Sequence, residues 1–355
     1  MKSVLITGGA GFIGSNLAVL LKTKYPDVRV TSIDNLKRRG SELNIQRLEN
    51  SGVKFIHGDV RFESDINNAG VFDLMIECSA EPSVLSGYNS LPNYMLDTNL
   101  NGLINCLNVC KKNNSKIIFL SSSRVYPYDQ LNQEPFVEEE SRFSFLVEPQ
   151  SRLTNKGISE SFPLVGIRSL YGASKLSAEL IINEYCNMYG LGAIINRCGV
   201  VAGPWQFGKV DQGVITHWVM AHHLLRPLEY IGYGGQGKQV RDILHIEDLF
   251  DVVDLQITNF DQCNGATYNI GGGLGVSTSL LELTDICRAV TGNYVDISST
   301  AVDRVADLRI YITDSSFFEN LLGWRPKKDV YSIVYDINQW LNENSKNLKS
   351  ILPLM

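Results

Sequence analysis

A glycine-rich turn close to the N-terminus constrains the fold of this chain more than any other feature. Gly8, Gly11 and Gly14 are spaced as G-x-x-G-x-x-G, after an apolar run at 3–7 and before an amphipathic stretch at 12–25. Glycine permits a tight turn and lets the backbone approach a pyrophosphate. The start of a helix offers free N–H groups and the positive end of its dipole to such an anion. This context predicts a dinucleotide site rather than an ordinary glycine turn.

Apolar runs alternate with helical patterns through the first half of the chain. The predicted strands lie at 3–7, 29–33, 54–57, 72–78, 116–121 and 192–197. The predicted helices lie at 12–25, 42–50, 94–113 and 171–189. Strands that alternate with helices form a parallel sheet covered on both faces. We therefore predict an α/β fold with a doubly wound parallel sheet of the Rossmann type.

The alternation breaks down in two places, and these breaks define the predicted domains. From 127 to 167 Pro, Glu, Ser and Arg dominate, which indicates a long insertion over one end of the sheet. Beyond 198 glycine-rich stretches replace the alternation and indicate a change of domain. The predicted domains are a cofactor-binding Rossmann domain at 1–197 with a returning segment near 242–270, and a smaller C-terminal substrate-binding domain at 198–241 and 271–355.

Composition and charge exclude several kinds of partner. A net charge of −6 over 355 residues provides no basic field for a nucleic-acid backbone. The sequence has no apolar run of about 18 residues, so we expect no membrane span. The seven cysteines include no C-x-x-C pair, which favours a reducing, cytoplasmic location over a disulfide framework. The five histidines form no metal-binding pattern, so we expect no metal.

An acidic residue ends the second predicted strand at the position that discriminates between nicotinamide cofactors. Asp34 lies twenty positions after Gly14, and a carboxylate there can accept hydrogen bonds from both hydroxyls of the adenosine ribose. The same carboxylate would repel a 2′-phosphate. We therefore predict NAD rather than NADP as the cofactor, although Arg38 and Arg39 follow closely.

Further positions at the ends of the predicted strands complete the cofactor site. Asp59 and Val60 follow the third strand and either contact the adenine or form an ordinary strand-end turn. The residues that we assign to the cofactor site are Gly8, Gly11, Phe12, Ile13, Gly14, Asp34, Asn35, Asp59, Val60, Ser79, Ala80, Asn99, Tyr171, Lys175 and Arg197.

A tyrosine and a lysine form the predicted chemical centre. Tyr171 and Lys175 lie four residues apart at the start of a predicted helix, so their side chains share one face. Oxidation of an alcohol needs a base for the hydroxyl proton. A phenol can serve when a neighbouring ammonium and a cationic nicotinamide ring favour its phenolate. The serine run at 121–123 follows an apolar strand, where a hydroxyl can bridge substrate and phenol or merely cap the strand.

Together these motifs resemble those of the extended short-chain dehydrogenase/reductase family over almost the whole chain. Within that family, the segments 157–163, 196–204, 237–242 and 268–273 are similar to the CDP-paratose/CDP-tyvelose 2-epimerase group. The resemblance implies a catalytic triad of Ser122, Tyr171 and Lys175. It also implies that the cofactor is NAD.

The resemblance further implies a sugar-nucleotide site. Arg241 and Arg304 match arginines that grip the diphosphate, and Asp307 matches an acid that meets the nucleotide ribose. Arginine suits a diphosphate geometrically, although each arginine taken singly is more often a surface or ion-pair residue. The polar loop at 205–212 contacts sugar or base, forms a dimer contact or is a plain loop. The residues that we assign to the substrate site are Ser123, Gln206, Lys209, Gln212, Arg241, Arg304 and Asp307.

The reaction that the resemblance implies is epimerisation of a nucleotide-diphosphate sugar, with C2 of a CDP-sugar as the inverted carbon. It would proceed by transient oxidation to a keto-sugar and re-reduction from the other face. Dehydratases of the family carry an Asp-Glu pair where this chain has Ser123 and Arg124, so dehydration ranks lower. A 4-epimerase, a reductase, a 4,6-dehydratase and a non-catalytic NAD-binding sensor or scaffold remain as alternatives. We expect a homodimer formed through the helices 94–113 and 171–189.

Overall fold

Two compact units share the chain, and each is built from several stretches of sequence. The computed structural model describes residues 1–88, 91–207 and 213–348. Unit 1 comprises Met1–Val125, Leu170–Arg197 and Phe250–Thr267. Unit 2 comprises Tyr126–Ser169, Cys198–Leu249 and Tyr268–Met355.

The segment Tyr126–Ser169 belongs to unit 2, whereas the sequence placed it in the domain at 1–197. Hydrogen bonds explain this correction. The Tyr126 hydroxyl donates to Oδ1 of Asn269 at 2.8 Å, and the Ile158 N–H donates to the Ile312 carbonyl at 2.9 Å. Because unit 2 includes this insertion, it is similar in extent to unit 1 rather than smaller.

The strands follow the predicted runs closely in the first half of the chain. In chain order they are β1 (Ser3–Thr7), β2 (Arg29–Asp34), β3 (Lys54–His57), β4 (Leu74–Glu77), β5 (Lys116–Ser122), β6 (Phe136–Glu138), β7 (Phe143–Phe145), β8 (Ala193–Cys198), β9 (Val200–Ala202), β10 (Leu228–Ile231), β11 (Val240–His245), β12 (Thr267–Ile270), β13 (Ser277–Ser279), β14 (Ile297–Thr300) and β15 (Ile310–Tyr311).

Helices that were predicted in that half begin and end within a residue or two of the predicted bounds, whereas the short helices Glu63–Asn67 and Tyr128–Leu131 were not predicted. In chain order the helices are α1 (Phe12–Lys24), α2 (Leu43–Asn50), α3 (Glu63–Asn67), α4 (Asn93–Leu96), α5 (Gly102–Asn113), α6 (Tyr128–Leu131), α7 (Leu170–Tyr189), α8 (Val214–His223), α9 (Ile246–Thr258), α10 (Phe260–Cys263), α11 (Leu280–Thr291), α12 (Ser316–Leu322) and α13 (Val330–Leu348). The helix predicted at 94–113 is interrupted by a π-helical turn at Asp97–Asn101.

A seven-stranded sheet forms the centre of the Rossmann fold, as the sequence predicts. Its strand order is β12–β8–β5–β4–β1–β2–β3. β1 pairs in parallel with β2 and β4, and β4 pairs in parallel with β5. The crossovers place the carboxyl ends of these strands at one edge, where such sheets bind ligands.

Apolar side chains on one face of this sheet pack under α5 and α7. Leu5, Met75 and Phe119 from the strands are buried together with Leu107 of α5 and Ile182 of α7. Burial of each side chain of this size stabilises the folded state by about 1.5–3 kcal/mol. The packing fixes α7, which carries two of the predicted catalytic residues, against the sheet.

Unit 2 is built on smaller sheets and a helical layer. β11 pairs with β9, β13 and β15, and β10 pairs in parallel with β14. The helix α11 begins with a capping box, in which the Glu282 N–H donates to Oγ of Ser279 at 3.0 Å and the Ser279 N–H donates to Oε2 of Glu282 at 2.9 Å. Such caps satisfy N–H groups that a helix start leaves without partners.

Candidate active site

The backbone of the glycine loop at the end of β1 packs too closely to admit a side chain at Gly8 or Gly14. Gly8 adopts a φ of +59°, and a Cβ atom there would lie 2.8 Å from the carbonyl oxygen of Cys78. A Cβ atom on Gly14 would lie 2.3 Å from the carbonyl oxygen of Gly8. Gly11 is the N-cap of α1 and offers no side-chain acceptor to the helix. The N–H groups of the first turn, which includes Phe12 and Ile13, are therefore available for an anion. The loop therefore fits the pyrophosphate of a dinucleotide.

Asp34 is fixed by backbone donors at the end of β2. Its Oδ2 accepts the Ala10 N–H at 3.1 Å, and its Oδ1 accepts the Leu36 N–H at 2.8 Å. Burial raises the pKa of the Asp34 carboxyl, and the N–H donors oppose that rise. The carboxyl is held directly beside the glycine loop, where its remaining lone pairs can accept ribose hydroxyls.

Asp59 belongs to a cluster with Arg61, Asn35 and Tyr94. Its Oδ2 lies 2.7 Å from Nη2 of Arg61 and accepts Nδ2 of Asn35 at 2.9 Å. The Arg61 guanidinium lies 4.9 Å from the ring centroid of Tyr94. Burial opposes ionisation of Asp59, but the bonds from Arg61 and Asn35 outweigh it and lower the pKa of Asp59. Arg61 and Tyr94 therefore shape this end of the site, although sequence reasoning did not assign them to it.

The loop after β4 is anchored by Asn99 and Ser79. Oδ1 of Asn99 accepts the Glu81 N–H at 2.8 Å, and its Nδ2 donates to Oγ of Ser174 at 3.2 Å. Ser79 directs its N–H, at 3.1 Å, and its hydroxyl to the carboxyl of Glu77. Both predicted cofactor residues therefore position the loop at the carboxyl edge of the sheet.

Three other predicted residues lie at the same edge. Ala80 is half-buried in the loop after β4, and Val60 is buried after β3. The Val60 carbonyl accepts Nδ2 of Asn105 at 3.0 Å. Ser123 is buried in a 3-10 turn that directly follows β5.

Tyr171 and Lys175 lie in the first turns of α7, and both are buried. Nζ of Lys175 donates to the Leu120 carbonyl at 2.9 Å, which holds the ammonium against the end of β5. Ser122 is the last residue of β5. The 3-10 turn that follows it packs against α7. The structure therefore brings the elements that carry Ser122, Tyr171 and Lys175 to one edge of the sheet.

Arg197, which the sequence assigned to the cofactor, is engaged in a buried ion pair with Glu179. Nη2 of Arg197 lies 2.7 Å from Oε2 of Glu179, and Nε is 3.1 Å from both carboxylate oxygens. Ser121 donates its hydroxyl to Oε1 of Glu179 at 2.5 Å. Sequence reasoning missed Glu179, although its position four residues after Lys175 places it on the same face of α7.

In unit 2 the structure brings Arg241 and Asp307 together. Nη2 of Arg241 donates to Oδ1 of Asp307 at 2.8 Å and to the Leu308 carbonyl at 2.6 Å. Burial raises the pKa of the neighbouring Tyr233 to about 12, and the charge of Asp307 adds to the rise. Tyr233 was not among the predicted site residues, although it lies close enough to Arg241 and Asp307 to feel both charges.

Arg304 lies close enough to His217 of unit 2 for its positive charge to act on that histidine. Burial lowers the pKa of His217, and the charges of Arg226 and Arg304 lower it further. The Arg304 carbonyl accepts the Asp307 N–H at 3.3 Å. Unit 2 thus has the Arg241 side chain at Asp307 and the Arg304 charge near His217, and arginine side chains suit an anionic ligand.

The predicted substrate loop is described only in part. Nε2 of Gln206 donates to the Val201 carbonyl at 3.0 Å, and its Oε1 accepts the Thr216 hydroxyl. These bonds fix the amide of Gln206 within unit 2. Lys209 and Gln212 lie outside the described residues.

Neither a membrane span nor a metal cluster is found in the described part of the chain. No helix within 1–88, 91–207 and 213–348 is long and apolar enough to cross a bilayer. No group of three or more His, Cys, Asp or Glu side chains in those ranges could hold a metal ion.

Characterised families and proteins show similarity over most of the chain. The family model described as NAD dependent epimerase/dehydratase matches residues 4–271. The CDP-paratose 2-epimerase of Salmonella typhi is 30% identical over 344 residues, which cover 94% of this chain and 98% of that protein. The dTDP-glucose 4,6-dehydratase of Salmonella typhimurium is 27% identical and covers 98% of this chain and 95% of its own length.

Solved structures share the fold over nearly the whole length. The UDP-glucuronic acid 4-epimerase of Bacillus cereus, in complex with UDP-glucuronic acid and NAD, has a TM-score of 0.79 at 23% identity, covering 96% of this chain and 99% of that one. The UDP-glucose 4-epimerase of Thermotoga maritima has a TM-score of 0.78 at 22% identity, covering 97% and 100%.

Proposed function

Because the chain belongs to the NAD-dependent epimerase/dehydratase family, we propose that this NAD-dependent sugar-nucleotide epimerase inverts C2 of a CDP-linked sugar. The observation that carries the choice of base and carbon is the 30% identity to a CDP-paratose 2-epimerase over 94% of the chain. The 4,6-dehydratase compared above is less similar, at 27%.

The cofactor site supports this proposal because its residues are of the kinds that bind a dinucleotide. The tight turn without side chains at Gly8 and Gly14 would let the pyrophosphate approach the backbone, Asp34 would accept the adenosine ribose hydroxyls, and the cluster around Asp59 and Arg61 would bound the adenine end. When bound, NAD supplies a hydride acceptor that also returns the hydride, so the reaction needs no net oxidant.

Tyr171 is the proposed acid–base residue. Its phenol takes the proton of a sugar hydroxyl and later returns it. The ammonium of Lys175, fixed by the Leu120 carbonyl at 2.9 Å, stabilises the phenolate. The hydroxyl of Ser122 orients the sugar hydroxyl toward Tyr171. Burial of Tyr171 and Lys175 excludes water and strengthens both interactions.

The residues after Ser122 favour epimerisation over dehydration. Elimination of water needs a second acid and base next to the sugar. Ser123 is buried in the 3-10 turn, and Arg124 follows it. Neither an alcohol nor a guanidinium suits that task, because both keep their protons far above neutral pH.

The proposed diphosphate ligands are Arg241 and Arg304, with Asp307 at the nucleotide ribose. The Arg241–Asp307 pair at 2.8 Å keeps the guanidinium in one orientation, which favours recognition of a fixed anion. Gln206 and Ser123 are proposed to contact the sugar, and so are Lys209 and Gln212 of the loop outside the described residues.

A turnover screen tests the proposed substrate. The enzyme is incubated with CDP-, UDP-, GDP- and dTDP-linked sugars, and the products are read by NMR without added NADH. We expect a C2 epimer from a CDP-sugar. A 4-keto-6-deoxy product, or inversion at C4 of a UDP-sugar, would replace the proposal by another reaction of the same family.

We further propose a cytoplasmic homodimer. All seven cysteines are free thiols, which supports a reducing compartment. Leu180 and Met188 of α7 are 60% and 64% exposed, and apolar side chains of this kind suit burial against a second copy. Light scattering of the purified protein measures the mass and decides between monomer and dimer.

A further inference from the structure

A buried carboxyl group in unit 1 has no role in the chemistry proposed so far. Glu77 ends β4 and is 2% exposed. It pairs with Thr7 of β1 on one side and with Phe119 of β5 on the other. Register partners in a parallel sheet project their side chains to the same face. Glu77 and Phe119 therefore point into the same layer, under α5 and α7.

Lys175 also reaches into that layer. Its Nζ lies 4.5 Å from the ring centroid of Phe119 and donates to the Leu120 carbonyl at 2.9 Å. Because Glu77 is the neighbour of Phe119 across the strands, its carboxyl faces the same ammonium, and the two charges act on each other. Charges withdrawn from water interact much more strongly than exposed ones do.

The hydrogen bonds of Glu77 use only one of its oxygens. Oε1 accepts the Thr7 hydroxyl at 3.3 Å, the Ser79 N–H at 3.1 Å and the Ser79 hydroxyl. Oε2 is buried and has no hydrogen-bond donor among the described residues. A buried oxygen without a donor destabilises the fold. Glu77 therefore needs an explanation other than stability.

We propose that Glu77 is a positioning residue that competes with Tyr171 for the charge of Lys175 and so sets the pH at which Tyr171 becomes a base. This inference rests on the proposed roles of Tyr171 and Lys175. The groups that face Glu77 are Thr7 of β1, Cys106 of α5, Lys175 of α7 and Ser79 of the following loop.

The charges in this group fix the direction of the effect. Burial raises the pKa of Glu77, and the ammonium of Lys175 and the bonds from Ser79 oppose that rise. The thiol of Cys106 has a pKa raised by burial and by Glu77, so it stays neutral and does not replace Lys175 as a partner. An ionised Glu77 offsets part of the Lys175 charge and delays formation of the Tyr171 phenolate to higher pH.

The test follows ionisation of Tyr171 directly and needs no sugar substrate. The full chain with bound NAD is labelled with 13C-ζ tyrosine, and the Tyr171 resonance is identified by its loss in Y171F. Glu77→Gln removes the charge and keeps the shape, so the midpoint for Tyr171 should fall by about one pH unit. Glu77→Asp keeps the charge and should leave the midpoint close to that of the wild type.

Thr7→Val is the matched control, because it removes a hydrogen bond to Glu77 and leaves the charge in place. A midpoint that moves in E77Q and not in T7V supports the proposal. If both variants lower the melting temperature and neither moves the midpoint, Glu77 is structural and the proposal is overturned.

A reciprocal measurement decides the question if E77Q does not fold. With 13C-δ glutamate, the Glu77 carboxyl should titrate at higher pH in Lys175→Met than in the wild type, because the ammonium that favours its charged form is gone. An unchanged Glu77 midpoint in K175M means that the two groups do not act on each other and overturns the proposal. A shifted midpoint without turnover of any sugar nucleotide would contradict the proposed function and leave the coupling intact.

Discussion

The guanidinium of Arg197 is locked to the carboxylate of Glu179 inside unit 1, with Nη2 2.7 Å from Oε2 and side-chain exposures of only 7% and 3%. The pair joins β8 to α7, and the hydroxyl of Ser121 joins β5 to the same carboxylate. Since α7 carries Tyr171 and Lys175, we expect Arg197 to act on the cofactor site through the position of this helix.

Replacing Arg197 by methionine should therefore destabilise the protein. The change leaves the Glu179 carboxylate buried without a countercharge, which costs about 3–5 kcal/mol. Urea unfolding measures the loss. Lys116→Ala is the control, because the Lys116–Asp261 pair is exposed and contributes about 1 kcal/mol or less. An R197M protein with normal stability and weakened NAD binding would instead favour direct contact with the cofactor.

Tyr171→Phe should lose turnover and keep its NAD. The substitution removes only the phenol oxygen, so the cofactor cradle is unchanged, while loss of an acid–base group lowers the rate by about 10²- to 10⁴-fold. Steady-state rates on the CDP-sugar found in the screen, together with the NAD content of the purified protein, measure both effects. Tyr189→Phe on the same helix serves as the control and should retain activity. Normal turnover by Y171F would remove Tyr171 from the centre of the mechanism.

Gly14→Ala should weaken NAD binding by at least about tenfold, equivalent to about 1.4 kcal/mol. Its Cβ atom would lie 2.3 Å from the Gly8 carbonyl oxygen, so the loop must open and lose its shape. Calorimetric titration of stripped protein with NAD gives the dissociation constant. Gly275→Ala is the matched control, because a Cβ atom there meets no atom within 4 Å. Equal affinities in the two variants would show that the loop does not hold the pyrophosphate.

Because of Asp242, the free energy of unfolding should decrease as the pH rises from about 4 to about 7. Burial raises the pKa of Asp242 from 3.8 to about 6, against the bond that its Oδ2 accepts from the Gly273 N–H at 3.0 Å. The folded protein holds this proton more tightly than the unfolded chain does. Its contribution to the free energy of unfolding is fully present below pH 3.8 and is lost as the pH rises through 6. The total loss amounts to about 3 kcal/mol.

The comparison of wild type with Asp242→Asn isolates this residue from other carboxyl groups. The amide cannot ionise, so the difference in unfolding free energy between the two proteins should shift by about 2 kcal/mol in favour of D242N between pH 4 and pH 7. Denaturant titrations at several pH values measure it. A difference that stays constant with pH would mean that Asp242 titrates in the fold as it does in the unfolded chain.

The order of strands and helices in unit 1 could be predicted from the sequence because each element carries its own signal. Apolar runs of four to seven residues and the glycine turn are local features, and the bounds of β1 and β3 were predicted to the residue. The partners of the segment Tyr126–Ser169 could not be predicted, because they lie far along the chain, as Asn269 does more than 100 residues from Tyr126.

Partners of the site residues were predicted less well than the residues themselves. Asp59 was found by its position after a strand, but the ring of Tyr94 reaches Arg61 from a separate helix. Glu77 offered a signal, since it is an acid within an otherwise apolar strand, and such a residue needs a partner when buried. Lys175, whose charge acts on Glu77, is 98 positions further on, so their proximity could be seen only in the fold.

The isotope content of the product tests the central claim most directly. A CDP-sugar carrying deuterium at C2 is converted by the enzyme in ordinary water, and the product is examined by NMR. If the carbon is oxidised and reduced again within one cycle, the deuterium stays on C2 in the inverted configuration. Replacement of the deuterium by solvent hydrogen, or its transfer to another carbon, would contradict an epimerisation in which Tyr171 handles only the hydroxyl proton.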